Sequence, residues 1–113
     1  MGDSDRLRED GQLTVRVEPD GEELLVRAFG PLDLSNARTL EAELRHAITA
    51  DAPGVILDLS GVSLMDSTGL RVLVLIARES IRVEGGLCVL RGSEPVDRAI
   101  EAAGVEDLLP LAD

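Results

Sequence analysis

The short polar segment 66–69, with the sequence Asp-Ser-Thr-Gly, is where side chains of this chain could do chemistry. An apolar segment with β-branched residues, 55–57, precedes it, and an apolar run, 72–77, follows it, so it links two elements that we expect to be buried. The hydroxyl of Ser67 is therefore expected at the surface. It has three possible roles: a catalytic nucleophile, an acceptor of a phosphoryl group, or a polar residue at the start of a helix.

The role of catalytic nucleophile is poorly supported, because a serine nucleophile needs a base. The single histidine, His46, falls inside a predicted helix on the edge of its polar face, and the first glycine of a nucleophile elbow is missing before Ser67. The chain has no lysine and no Gly-rich phosphate loop, and one cysteine with one histidine cannot form a soft metal site. We therefore expect no enzyme, no metal and no cofactor, with a small hydrolase that uses Ser67 as a remote alternative.

Composition argues against several classes of partner. The formal net charge of −11 repels phosphate backbones, and a lone aromatic residue, Phe29, cannot form the stacking platform that single-stranded nucleic acids need. We therefore expect no nucleic-acid partner. The longest apolar run, 72–77, is far shorter than a membrane-spanning helix, and Cys88 has no partner for a disulfide within the chain. These features predict a cytoplasmic protein with no direct membrane insertion.

The hydrophobic pattern predicts an α/β domain over residues 12–113, preceded by a flexible acidic tail over 1–11. The element order is β-β-α-β-α-β-α-β, which is typical of a mixed β-sheet with helices packed on it. The predicted elements are a hairpin of strands 13–17 and 23–29, a helix over 35–50 capped by Asp33 or Ser35, a central strand 55–59, a helix over 70–79 capped within 66–68, a strand 86–90, a helix from Ser93 to Gly104, and a short strand within 108–111.

Phosphorylation of Ser67 is chemically reasonable in this setting. A phosphoryl group there would face the N–H groups at the start of the predicted helix, and it would add about −1.5 to −2 charges beside Asp66. On spacing alone, a simple polar cap is the more common explanation of the same residues. Gly69 costs roughly 0.5–1 kcal/mol relative to alanine in a first helical turn, which indicates that another backbone or a partner approaches closely there.

One side of the helix after Ser67 is predicted to form a strip with an apolar centre and a charged rim. Arg71, Val74 and Arg78 follow Ser67 at spacings of four, three and four residues, so they share one side of a helix. A valine between two arginines favours a surface that binds a partner, although packing of Val74 beneath a loop explains it equally well. The predicted strip consists of Ser67, Gly69, Leu70, Arg71, Val74 and Arg78.

Two stretches of the chain resemble the stand-alone STAS domains, and among them the anti-anti-sigma factors, which antagonise anti-sigma factors. Residues 30–37, Gly-Pro-Leu-Asp-Leu-Ser-Asn-Ala, are similar to the Gly-Glu-Leu-Asp segment that leads into the family's first helix, with Pro31 in place of the usual acidic residue. Residues 55–60, Val-Ile-Leu-Asp-Leu-Ser, followed by 65–70, Met-Asp-Ser-Thr-Gly-Leu, resemble the family's signature. The resemblance spans most of the chain and implies a STAS-like mixed sheet.

The resemblance also implies a phosphorylation switch with Ser67 as the acceptor. The unphosphorylated protein would bind an anti-sigma factor that is also a serine kinase of the histidine-kinase-like ATPase fold, and so release a sigma factor. Phosphorylation would end this binding, and a metal-dependent serine phosphatase would restore it, while ATP belongs to the kinase. The alternative is a structural STAS subunit of a signalling scaffold or transporter complex, with the serine unphosphorylated. The residues expected to bind the partner are Asp33, Leu34, Ser35, Asp66, Thr68, Gly69, Leu70, Arg71, Val74 and Arg78.

Overall fold

A computed structural model describes residues 6–50, 54–81 and 85–112 of the chain, and within them six strands form one sheet in sequential order. The first three strands pair antiparallel and the others parallel, so the sheet is mixed, as the fold-class prediction requires. The strands are Arg6–Asp10 (β1), Leu13–Asp20 (β2), Glu23–Leu32 (β3), Val55–Met65 (β4), Leu87–Leu90 (β5) and Leu111–Ala112 (β6). The helices are Ala37–Thr49 (α1), Ser67–Ser80 (α2) and Glu94–Ala103 (α3), followed by a 3-10 turn at Glu106–Leu108.

The core lies between one face of the sheet and the helices. Register places Val17, Val26, Leu57 and Val89 in one row across β2 to β5, and all four are buried. Because side chains alternate between the two faces of a strand, this row indicates which face of these four strands meets the helices. Residues of α1 and α2 that belong to the same core include Leu40, Leu44, Leu73 and Ile76.

The central strand β4 runs six residues further than the prediction, to Met65, and its pairing with β3 is irregular over this extension. The register shifts between Arg27 and Phe29 and again between Gly30 and Pro31, so β4 fits extra residues along the same length of β3. After these shifts Leu32 lies opposite Met65. The loop that leads into α1 is thereby brought beside the first turn of α2.

The N-terminal segment corrects the sequence analysis, which predicts a flexible tail over residues 1–11. Residues 6–10 form β1, which pairs antiparallel with β2, while residues 1–5 lie outside the described part of the chain. No residue of β1 is buried, so apolar burial does not hold this strand. Arg6 and Arg8 instead reach the Glu43 carboxylate of α1, at 3.3 and 3.4 Å. The contacts join charged groups that are far apart in sequence, so a hydrophobic pattern cannot reveal them.

Two of the predicted caps differ in detail. The N-cap of α1 is Asn36 and not Asp33 or Ser35; the Asp33 carboxylate accepts hydrogen bonds from the Ser35 N–H and hydroxyl instead, at 3.0 and 2.6 Å. Ser93 is the N-cap of α3, as predicted, but its hydroxyl donates to the Val62 carbonyl of β4, at 2.5 Å. The Ser93 side chain therefore attaches α3 to the central strand.

Candidate functional site

Ser67 is the first residue of α2 and is exposed, directly after the end of β4. Its neighbour Asp66 is the N-cap of this helix. Among the described residues, the Ser67 hydroxyl forms no hydrogen bond, whereas the Asp66 carboxylate forms three. The structure therefore separates two roles that the sequence leaves together: Asp66 caps the helix, and Ser67 presents its hydroxyl to solvent.

The Asp66 carboxylate joins two segments that are distant in the chain. One oxygen accepts from the N–H groups of Thr68 and Gly69, at 2.9 and 3.0 Å, and the other accepts from the N–H of Leu34, at 3.1 Å. The first pair of bonds caps α2, and the third attaches the loop before α1 to it. These N–H groups of α2 are therefore already occupied, contrary to the expectation that they would receive a phosphoryl group.

The buried side chain of Asn36 stabilises the loop before α1 through hydrogen bonds to its backbone. Its side-chain oxygen accepts from the N–H of Asp33, at 3.0 Å, and its side-chain nitrogen donates to the carbonyl of Pro31, at 2.9 Å. Leu34 projects from this loop and is 77% exposed. The sequence analysis missed Asn36, although an asparagine just before an apolar helical pattern is a common capping residue.

Gly69 and Leu70 are buried, so the prediction that they belong to an exposed strip is wrong. A Cβ atom on Gly69 would lie 2.9 Å from Cγ and 3.3 Å from the carbonyl oxygen of Leu32. The close approach expected at this glycine therefore exists, but the approaching group is the end of β3 and not a partner. The other residues of the predicted strip are Ser67, Arg71, Val74 and Arg78, which we call the α2 strip. Ser67, Arg71 and Arg78 are exposed, whereas Val74 is half-buried and packs against the core.

A groove of about 300 Å³ lies between α1 and α2, beside the α2 strip. The sequence analysis missed the α1 side of this groove, because it exists only once the two helices are packed together. Leu34, at the loop before α1, extends its apolar lining toward solvent. The apolar lining residues are Leu34, Ala37, Val72 and Leu75, and the polar ones are Arg38, Glu41, Thr68 and Arg71.

An exposed ion pair connects the two helices that form the groove. Arg45 of α1 binds Glu79 of α2, with nitrogen–oxygen distances of 3.0 and 2.6 Å, and also binds Glu41 one turn earlier on α1. The Arg45 guanidinium holds the pKa of the Glu79 carboxyl below its usual range, because its hydrogen bonds favour the charged form. The helices are thus tied together by charged groups near the surface as well as by the core.

Catalytic machinery around Ser67 is not found in the described residues. His46 lies in the last turn of α1, at the opposite end from the loop that carries Leu34, and is exposed. In the same part of the chain, no group of three or more His, Cys, Asp and Glu side chains could hold a metal ion. What this arrangement offers is an exposed hydroxyl close to a groove that is lined by both apolar and charged side chains.

Asp66→Ala is expected to lower the free energy of unfolding by about 1–2 kcal/mol, because it removes the cap of α2 and leaves the N–H of Leu34 without its acceptor. Denaturation by urea at neutral pH measures this loss. Ser67→Ala is the matched control, and it should change stability by less than about 0.5 kcal/mol. Equal losses in the two variants would contradict the separation of roles between these neighbours.

The fold and the site together define a class of protein: one mixed sheet with an exposed serine at the first turn of the helix that follows the central strand. A family model described as the STAS domain matches residues 13–113. The chain therefore belongs to the STAS domain family, and the resemblance noted in the sequence is confirmed. None of the helices in the described ranges has the length and apolar character that crossing a membrane requires.

Several relatives of this chain are named as anti-sigma factor antagonists. It is 32% identical over 84 residues to BtrV of Bordetella bronchiseptica, which is named as a candidate anti-sigma factor antagonist; the match covers 74% of this chain and 72% of that protein. The crystal structure of an anti-sigma factor antagonist from Mycobacterium paratuberculosis superimposes with a TM-score of 0.75 at 27% identity, covering 88% of this chain and 84% of the other. The anti-sigma factor antagonist SpoIIAA in its unphosphorylated form shares the fold, with a TM-score of 0.66, 22% identity and 88% coverage of both chains.

Proposed function

We propose that this protein is an anti-sigma factor antagonist and that phosphorylation of Ser67 switches off its binding to the anti-sigma factor. The observation that carries the proposal is the exposed hydroxyl of Ser67 next to Thr68, which lines the groove between α1 and α2, in a STAS domain whose relatives are named as antagonists of this kind. In the unphosphorylated state the protein binds the anti-sigma factor, and the sigma factor is released to RNA polymerase.

The surface that fits such a partner combines the groove, the α2 strip and the loop before α1. Its apolar centre includes Leu34, which is 77% exposed and would be covered by the partner. A rim of Arg38, Glu41 and Arg71 surrounds that centre, which is the usual arrangement of a protein interface. Asp33 and Ser35 support Leu34 through hydrogen bonds in the loop. The partner on this proposal is an anti-sigma factor that is also a serine kinase.

The chemistry of the switch requires only an acceptor on this chain. The Ser67 oxygen attacks the γ-phosphorus of ATP held by the kinase, the bond from that phosphorus to the β–γ bridging oxygen breaks, and ADP leaves. The hydroxyl proton passes to a base of the kinase. A metal-dependent serine phosphatase reverses the change by hydrolysis, which returns the hydroxyl and releases inorganic phosphate. This chain therefore acts as a substrate and a binding partner and not as a catalyst.

The size of the expected effect follows from the charge. A phosphoryl group adds about −1.5 to −2 charges at pH 7 to a surface that already carries Asp66 and lies beside a groove with a partly apolar lining. Removing such a group from water in an interface costs several kcal/mol, and each 1.4 kcal/mol lowers affinity tenfold. Release of the partner therefore needs no change in the fold.

Incubation with the anti-sigma kinase and ATP is expected to place one phosphate on Ser67, detectable by mass spectrometry of the peptide that contains it. In binding measured by calorimetry, Ser67→Ala should keep the affinity for the kinase and Ser67→Asp should lower it at least about 100-fold. Thr49→Asp, at the opposite end of α1 from the loop before it, is the control for added charge. A kinase that binds this protein without phosphorylating Ser67 and tolerates Ser67→Asp would contradict the proposal and favour the structural-subunit alternative.

A further inference from the structure

We propose that Arg71 binds the phosphate of phosphorylated Ser67 within the same chain. The inference rests on the proposed function, because it concerns the state in which Ser67 carries a phosphate. On this proposal Arg71 is the phosphate-binding side chain and the second component of the switch. Arg71 leaves the rim of the groove at the same time as the dianion appears beside it.

The start of α2 does not supply a ready site for the phosphate. The N–H groups of Thr68 and Gly69 donate to Asp66, at 2.9 and 3.0 Å. The carboxylate of Asp66 is adjacent to Ser67 and repels a second anion. A cation from elsewhere on the surface would therefore stabilise a phosphate on Ser67.

Arg71 is placed to supply that cation. It follows Ser67 by four residues on α2, and side chains at this spacing are neighbours, with Cβ atoms about 5–6 Å apart. Helical side chains generally point back toward the N-terminus of the helix, so the guanidinium of Arg71 can reach toward Ser67. The planar guanidinium can bind two phosphate oxygens at once.

No ion pair holds Arg71 elsewhere in the described part of the chain. This distinguishes it from Arg45, which binds two carboxylates on α1 and α2. Arg71 is exposed and can therefore change rotamer at little cost. Its capture by the phosphate does not require breaking a contact seen among the described residues.

The position of Arg71 connects the phosphate to the partner surface. Arg71 and Thr68 both line the groove between α1 and α2. When the guanidinium turns to the phosphate, the groove loses a positive charge. The charge near the groove therefore becomes more negative than the added phosphate alone would make it. A partner with acidic groups opposite Arg71 would lose an attraction as well as meet a repulsion.

The test uses the full chain with phosphoserine incorporated at position 67 during translation, so that no kinase is needed. Phosphorus NMR follows the second ionisation of the phosphate as a function of pH. A bound guanidinium favours the dianion, so Arg71→Gln is expected to raise the pKa of this phosphate by about half a unit or more relative to the parent. Arg78→Gln is the matched control: it removes the same charge from the α2 strip, eleven residues from Ser67, and should leave that pKa nearly unchanged.

Three outcomes would overturn the inference. Equal shifts in the Arg71 and Arg78 variants would mean that the phosphate senses only the general field of the surface. A larger shift in Arg38→Gln than in Arg71→Gln would place the phosphate across the groove on α1. Failure of the kinase to phosphorylate Ser67 would overturn the proposed function and leave this measurement standing. Normal phosphorylation with no effect of Arg71→Gln would overturn only the present inference.

Discussion

Gly30→Ala is expected to lower the free energy of unfolding by at least about 3 kcal/mol, because two independent costs meet at this residue. Gly30 has a φ of +98°, a conformation that side chains rarely adopt. A Cβ atom there would also clash with the carbonyl oxygen of Gln12, which is backbone of the loop before β2 and cannot rotate away. Urea denaturation measures the loss.

Gly21→Ala is the matched control for Gly30→Ala. Gly21 also has a positive φ, +65°, but nothing lies within 4 Å of a Cβ atom built there. The free energy of unfolding of Gly21→Ala should therefore fall by about 1 kcal/mol, the cost of the backbone conformation alone. The difference between the two variants isolates the clash with Gln12. Similar losses would show that β2 and β3 move apart easily at this point, contrary to the close contact in the structure.

Replacing Arg6 and Arg8 together by glutamine is expected to lower the free energy of unfolding by about 2–3 kcal/mol. Both guanidinium groups contact one oxygen of Glu43, whose side chain is 4% exposed, and its other oxygen is buried without a hydrogen-bond partner among the described residues. Loss of both cations leaves a buried carboxylate uncompensated, which costs 3–5 kcal/mol in fully buried pairs; partial exposure of the arginines reduces the figure to about 2–3 kcal/mol.

The Arg6 and Arg8 variant has two matched comparisons. Arg78→Gln with Arg98→Gln removes the same charge from exposed positions and should cost less than about 1 kcal/mol in total. Adding Glu43→Gln to the Arg6 and Arg8 variant should recover most of the lost stability, because a neutral amide is far cheaper to bury than a carboxylate. If Glu43→Gln recovers nothing, the loss comes from detachment of β1 and not from the buried charge.

The elements that the sequence predicts well are those stabilised by one buried face. Alternation of Leu13, Val15 and Val17 indicates β2, and the helical spacing of Val96 and Ile100 indicates α3, because the core covers these residues. The strand β1 has no buried face, and the extension of β4 contains register shifts, so neither leaves a pattern that periodicity detects. Both depend on pairing between strands.

Those parts of the candidate site that consist of residues adjacent in sequence are predictable. Those that depend on how the helices pack are not. Asp66 and Ser67 stand together in sequence, and the structure bears out a cap within this segment. Helical spacing shows which residues share a side of α2 but not which sides the core covers, so the prediction that Leu70 lies on the surface is wrong. Ser67 as a phosphate acceptor stays a prediction until the kinase reaction is measured.

The outer strands of the sheet also bear on how this protein behaves at high concentration. An edge strand with unpaired backbone groups is a template for joining the sheet of another molecule. Strand β1 forms one edge, and four of its five residues are charged, two of them positively and two negatively. Strand β6 forms the other edge and is only two residues long. Neither offers a long apolar edge for intermolecular strand pairing. The charged strand β1 therefore has two effects: its arginines attach it to Glu43, and its charges disfavour aggregation through this edge of the sheet.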